Sequence, residues 1–323
     1  MSDFSETHHR DAIRAQLATM PIRMGQVDVN GRCNAKCWYC PVKYLGNPKE
    51  FAVQMTVTEL DHILGKLRGS PLVSSDVKFL YSCHYNEVLL YRHFVEMIPV
   101  LRRHGFSTMV LSNGTPLTPE KTELILDNPD VFWGLLLNIP ALDADEWVSK
   151  VGMSAKAHQI LMRNLDYLHS KGKGKATVQV NCAISNTGLL KLSVGDTQER
   201  AEEIAQSFRN RYPNFEVTVQ PWLSDRAGKL EKLNVLTQSQ RANSQVIGCS
   251  HSSNEGGRVY GWVHINARGN LFLCCDDFEM EYCFGNLLQN TFEEIWLSEA
   301  HLDAIVRAQG GICRCCQFRI ERS

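Results

Sequence analysis

Nowhere in its 323 residues does the chain have an apolar run approaching the ~20 residues of a membrane-spanning helix, so no spanning segment is expected. The first ten residues, Met1 to Arg10, are polar and carry histidines, with none of the apolar core of a secretory signal. Net charge is also nearly absent: 34 Lys and Arg against 35 Asp and Glu leave −1. That balance removes the electrostatic case for a nucleic-acid or anionic-membrane partner. There is no internal repeat and no low-complexity tract. What the chain does have is cysteine, twelve in all. Disulfide scaffolds are short secreted chains, so twelve thiols in a leaderless chain of this size point to metal binding in a reducing, cytoplasmic compartment.

With 44% hydrophobic and 21% charged residues the chain can bury a full core, and its length suggests about two domains. Six strand–helix alternations can be read between residues 24 and 221. The strands are Met24–Val29, Val77–Cys83, Thr108–Leu111, Phe132–Asn138, Ala176–Ala183 and Glu216–Val219. The helices are Val57–Leu67, Leu90–Arg103, Pro119–Leu126, Ala155–Leu168 and Thr197–Arg209. Thr56 with Glu59 reads as a capping box, and Thr118-Pro119 as a cap followed by proline at the first helical position. Such alternation predicts an α/β fold, a parallel sheet with helices outside it. Eight barrel units need ~250 residues, so only about six fit here. After residue 221 the composition changes. Residues 222–247 read as a connector, and 248–323 as a second unit with a hairpin: Val259–Ile265, a turn at 266–270, and Leu271–Cys274. Residues 1–23 are left as an N-terminal extension.

The densest signal is Asn30-Gly31-Arg32-Cys33-Asn34-Ala35-Lys36-Cys37-Trp38-Tyr39-Cys40-Pro41, a C-x3-C-x2-C run directly after the first strand. Three thiolates in eight residues can close on one metal centre, iron–sulfur or zinc. A structural zinc site has four protein ligands, and no fourth His or Cys follows in this loop. Three ligands on a four-iron cluster leave one iron open, an arrangement for chemistry rather than bracing. The loop, with Tyr39 before the last Cys and Pro41 after it, closely resembles the signature of the radical S-adenosylmethionine (SAM) superfamily. The resemblance implies a partial (β/α)6 barrel open on one side. It also implies a [4Fe-4S] cluster on Cys33, Cys37 and Cys40, SAM on the open iron, and cleavage of SAM to a 5′-deoxyadenosyl radical that takes hydrogen from substrate.

Seven further cysteines lie between 249 and 316. Cys313-Arg314-Cys315-Cys316 contains a C-x2-C pair suited to gripping one centre. The tail resembles the SPASM/Twitch extension of radical SAM enzymes, in Gly248-Cys249, the hairpin, Leu273-Cys274-Cys275-Asp276, Phe284-Gly285-Asn286-Leu287, Phe292-Glu293-Glu294-Ile295-Trp296 and the final C-x2-C. The C-x2-C-x5-C-x3-C run of a two-cluster tail is missing. The resemblance therefore implies one auxiliary [4Fe-4S] cluster on Cys249, Cys274, Cys313 and Cys316, with Cys275 the rival to Cys274 and zinc the rival metal. Cys275, Cys283 and Cys315 read as plain thiols, and Cys83 and Cys182 as core.

The same resemblance carries SAM contacts to Tyr39, Glu87, Ser112, Asn113 and Asn138. Glu87 stands in Cys83-His84-Tyr85-Asn86-Glu87, without the glycines that usually precede it in the superfamily. Ser112-Asn113-Gly114 is equally an ordinary turn pair. Glu146, Trp147 and the Trp133 region read as substrate contacts or as core. No catalytic residue is assigned. The layout is similar to aminocyclitol dehydrogenases of aminoglycoside biosynthesis. This implies abstraction of hydrogen from a small polar, sugar- or aminocyclitol-like substrate and oxidation of a carbinol to a ketone. An external electron donor such as flavodoxin or ferredoxin would be required. The rivals are a radical epimerase with a cysteine hydrogen donor, and a ribosomal-peptide or protein side-chain maturase. About 23 residues before the first strand are few for a separate leader-binding domain, which weighs against the maturase.

Overall fold

The computed structural model describes residues 2–81, 84–171, 176–181, 198–220, 226–235, 241–251 and 257–322. The strands are β1 (Ile22–Val27), β2 (Val73–Tyr81), β3 (Ser107–Ser112), β4 (Phe132–Asn138), β5 (Ala176–Asn181), β6 (Glu216–Gln220), β7 (Val246–Cys249), β8 (Trp262–Ile265), β9 (Asn270–Phe272), β10 (Cys283–Asn286) and β11 (Arg319–Glu321). Nine form one sheet in the order β10-β9-β8-β1-β2-β3-β4-β5-β6, and β7 pairs with β11. From β1 to β6 each strand runs parallel to the next, with helical crossovers between them. This is the six-unit α/β sheet expected, and all its connections need crossovers because parallel neighbours cannot be joined by tight turns. Among the described residues no helix is long and apolar enough to cross a membrane.

The expected helix starts hold. Thr56 and Glu59 form a reciprocal capping box before Val57–Gly69, and Thr118 caps Pro119–Asp127. Several readings shift, and β2 begins at Val73 rather than Val77. The pattern read as one helix over Leu90–Arg103 splits into a 3-10 turn at Val88–Leu90 and a helix at Met97–Arg103. Buried Tyr91 and Phe94 supplied the apolar period there without helical backbone. The first strand sits two residues earlier than expected, at Ile22–Val27. Val259–Ile265 begins as a short helix, Arg258–Gly261, before β8. Val259 to Ile265 are buried on both faces, so apolar alternation there did not mark strand. The N-terminal extension is a helix, Ser2–Thr19. Its Ile13 and Leu17 are buried, while Arg10 and Arg14 pair with Glu299 and Asp303 of the last long helix, Glu299–Gly310.

β8 runs parallel to β1, with Gln26 opposite His264 and Val27 opposite Ile265. The tail strands therefore extend the barrel's own sheet, and the loops after β1 and β2 meet the tail through Glu50 with Arg268 and His84 with Asp277. Cys83, Cys182 and residues 222–225 and 236–240 of the connector read from the sequence lie outside the described residues.

Candidate active site and cluster-binding cysteines

The Cys33–Cys40 loop leaves the C-terminal end of β1 and is tied down on both sides. Lys36 N–H donates to Val151 O at 2.9 Å and Trp38 N–H to Lys150 O at 3.0 Å, docking the loop on the end of helix Ala144–Val151. Gly152 ends that helix at φ 68°, and a Cβ there would lie 2.7 Å from Lys36 O. Only glycine combines that left-handed turn with so close an approach. On the other side Asn47 bridges two loops, accepting from Cys33 N–H at 3.2 Å and donating to Tyr85 O at 3.0 Å.

Glu87, Ser112 and Asn113 come together at the ends of β2 and β3. Glu87 is 1% exposed, and its carboxylate accepts from Leu89 N–H at 3.1 Å and Asn113 N–H at 2.8 Å. Burial pushes its carboxyl up to about 7 against those hydrogen bonds. Asn113 donates to Asn34 Oδ1 in the cysteine loop at 2.9 Å, and Asn34 donates to Thr115 Oγ1 at 2.9 Å. Ser112 Oγ accepts from Gly114 N–H. Asn138, ending β4, lies beside buried Tyr39, and its Oδ1 is buried without a hydrogen-bond partner. A buried orphan acceptor at a barrel-strand end is a ligand-binding feature. Trp147 is core, Glu146 pairs with Lys150 and Arg200, and Trp133 is 38% exposed under Lys78.

The cysteines of the loop are partly buried free thiols. Burial, then the neighbouring Cys40, pushes Cys37 up to about 12; burial and Glu87 push Cys33 higher still. Thiols raised so far are protonated unless a positive centre sits beside them. Ala35 N–H already points at Cys33 Sγ at 3.4 Å.

The tail gathers its four expected ligands in one place. Cys249, Cys274, Cys313 and Cys316 line a single, mostly apolar cavity with Tyr260, Leu273 and Phe318. Asp276 N–H reaches Cys274 Sγ at 3.4 Å and Phe318 N–H reaches Cys316 Sγ at 3.5 Å. Backbone amides of His251 and Arg258 serve Cys249. Burial and then the Cys249 charge push Cys313 up to about 12. Gly257, at φ 79°, lets the chain pass Cys249 O, where a Cβ would lie 2.7 Å away. Among the described residues no three His, Cys, Asp or Glu side chains converge on one point as a single ion requires. A four-iron cluster spreads its thiolates around a cube, so a thiol-lined cavity fits it better than it fits zinc. Cys283 and Cys315 lie outside the cavity lining. Cys275 does too; it is buried with its thiol against that of Cys274, and Arg258 donates to its Sγ.

Between the two cysteine sets lies a polar group that the sequence reading missed. Gln26 and Asp28 share one face of β1 and its extension, opposite His264 of β8, and His84 follows β2. All four are at most 4% exposed. Arg226 lies over the Tyr85 ring, 3.5 Å from Asp276. Burial opposes its charge, but Tyr85, Asp276, Cys275 and Cys40 together hold the guanidinium above its ordinary value. Arg226 is thus within electrostatic reach of Cys40 in the barrel set and of Cys275, the neighbour of Cys274 in the tail. The available signal was Gln26 and Asp28 themselves, two polar residues on one face of a strand whose burial should have made it apolar.

Parallel strands ending in a three-thiol loop, beside a second four-thiol cavity, define a barrel-type iron–sulfur enzyme. The chain belongs to the radical SAM superfamily, whose family model matches residues 27–204, more than half of its length. A second match, to an iron–sulfur cluster-binding domain of SPASM type, covers residues 257–317. The protein is a radical SAM enzyme that uses SAM and a [4Fe-4S] cluster, with auxiliary iron–sulfur binding in its tail. Similar solved structures include BtrN in complex with AdoMet and 2-DOIA, at 15% identity over 94% of each chain with a TM-score of 0.50. Also similar is anSMEcpe with bound AdoMet, at 12% identity over 92% of this chain and 84% of that one, TM-score 0.57. A third is Streptococcus suis SuiB bound to precursor peptide SuiA, at 13% over 97% and 73%, TM-score 0.55. At these identities the likeness is one of fold. No protein of curated function matches the sequence.

Proposed function

We propose that the chain oxidises a carbinol carbon of a small polar, sugar- or aminocyclitol-like substrate held between its two cysteine sets. In this reading Cys33, Cys37 and Cys40 hold the barrel cluster, and Cys249, Cys274, Cys313 and Cys316 hold one auxiliary [4Fe-4S] cluster. Tyr39, Glu87, Ser112, Asn113 and Asn138 surround SAM. The bound groups supply a 5′-deoxyadenosyl radical at one end and an electron acceptor at the other. Glu87 and Asn113 keep the two loops in register, Asn138 offers an unused acceptor, and Arg226 bridges toward the tail. Removing one hydrogen atom, one electron and the hydroxyl proton from a carbinol gives the ketone. The electron for SAM cleavage comes from an external donor such as flavodoxin or ferredoxin.

The observation that carries this reading is the buried polar group between the two thiol sets, around Arg226. Buried polar side chains of this kind suit a small hydroxylated substrate more than a long chain. Cys275 favours a second reading, because it places a buried thiol in the same space, where it could return hydrogen to a substrate radical. Turnover of a candidate aminocyclitol in D2O separates the two. Oxidation gives a product lacking two hydrogens, with no deuterium at the reacting carbon. A product of unchanged composition carrying one deuterium there would replace oxidation by epimerisation.

A further inference from the structure

Gln26 and Asp28 are locked together, with Gln26 Nε2 donating to Asp28 Oδ1 at 3.2 Å. Asn86 is a second amide donor to the carboxylate, while Gln26 Oε1 and Asp28 Oδ2 are buried with no partner at full hydrogen-bond geometry. His84 Nε2 lies 2.9 Å from Asp277 O. A carbonyl only accepts, so Nε2 carries the proton, and the neutral ring turns the lone pair of Nδ1 outward. Nδ1 stands 3.9 Å from Asp28 Oδ2. Two acceptors therefore face one another, with a third beside them. Among the described residues no Lys or Arg pairs with Asp28; Arg226 is engaged by Asp276.

The amides of Gln26 and Asn86 are neutral, so the buried carboxylate still lacks a cationic partner. Two acceptors 3.9 Å apart subtend roughly 90° at a nitrogen about 2.8 Å from each, close to the spread of N–H bonds on an ammonium. An ammonium carries three donors and a positive charge. A hydroxyl carries one donor and leaves the carboxylate unpaired.

Building on the reading above, we infer that the substrate carries a primary amine, anchored as an ammonium by Asp28 Oδ2, Gln26 Oε1 and His84 Nδ1. His84 is a positioning residue for that carboxylate, oriented by the Asp277 carbonyl. The amine fixes which ring carbon lies toward SAM.

The test is equilibrium binding to the iron-loaded, SAM-bound protein, without reductant. The probes are streptamine and scyllo-inositol, the same ring with hydroxyls for amines. The wild type should prefer streptamine by at least about tenfold, since loss of a buried charge pair costs at least that much. Asp28→Asn should erase the preference while iron content and SAM binding stay unchanged. If Asp28→Asn fails to take up iron, Gln26→Leu provides the same comparison. Ring binding without an amine preference, or a preference that the variants leave intact, overturns the ammonium site and leaves the small-substrate reading standing. If neither ring binds, the small-substrate reading falls. A lysine pentapeptide and its norleucine counterpart then decide the amine: preference for lysine that depends on Asp28 supports the site, and no such preference overturns it.

Discussion

At the scale of single residues, the environment of each side chain separates groups that look alike in sequence. Cys274 and Cys275 are neighbours, and spacing alone left the ligand open between them. Cys274 lines the thiol cavity, whereas Cys275 lies outside that lining, with its thiol against Cys274 and accepting from Arg258. Cys274→Ala is therefore expected to lose the tail's iron and its visible absorbance, whereas Cys275→Ala keeps both; the reverse pattern would move the ligand by one residue. Asp28 makes a second prediction. Burial raises its carboxyl from 3.8 to about 7, against the pull of Asn86 and Gln26. The folded chain then binds this proton more tightly than the unfolded chain. Its contribution is favourable below the unfolded value and is lost as pH rises through the folded one. Asp28→Asn removes that term. Without substrate, its melting temperature should match the wild type only below about pH 4, and the gap should open through about pH 7 so that the variant exceeds it near about pH 8. A difference that does not grow with pH would mean the carboxyl is already neutralised by a partner.

At the scale of elements, caps and strands with simple duties were legible in the sequence. Thr56–Glu59 and Thr118-Pro119 mark helix starts because the chemistry of a cap is local. Phe132–Asn138 was bounded correctly because its ends are set by its own residues. What escaped depended on distant partners. The N-terminal helix is held by Glu299 and Asp303, nearly the whole chain away, and β8 pairs with β1 across more than two hundred residues. Gly152 belongs to the same category: its role is set by Lys36 of the cysteine loop. Gly152→Ala combines a strained φ with a backbone collision. It should cost about 1–2 kcal/mol and lower iron in the barrel site while sparing the tail. Gly69→Ala is the control, since a Cβ there meets nothing within 4 Å. Equal behaviour of the two variants in thermal melts and iron assays would show that the cysteine loop does not depend on this close approach.

At the scale of the whole molecule, the barrel set follows β1 of the nine-stranded sheet, whereas the tail set joins the end of that sheet, at Cys274, to the separate pair β7 and β11. The barrel set hangs from the β1 loop and is braced by helix Ala144–Val151 and Asn47. The tail set is framed by β7, β11 and the turn at Ile312–Cys315. Among the described residues none donates a hydrogen bond to cysteines of both sets, so loss of one cluster should leave the other's ligands in place. Their electrostatics are nonetheless shared through Arg226, which lies within reach of Cys40 and Cys275. Anaerobic reconstitution should give about eight irons per chain, and Cys33, Cys37 and Cys40 changed together to Ala should retain about four, all in the tail. That variant should not cleave SAM. Its tail cluster should also show a shifted reduction potential, because removing thiolate charge near Arg226 leaves a more positive neighbour facing the second site. More positive surroundings favour the reduced, more negative cluster, so the potential should rise. A tail potential equal to that of the wild type would show that the two sites are electrostatically independent. Loss of all iron would show that the tail folds only around a loaded barrel.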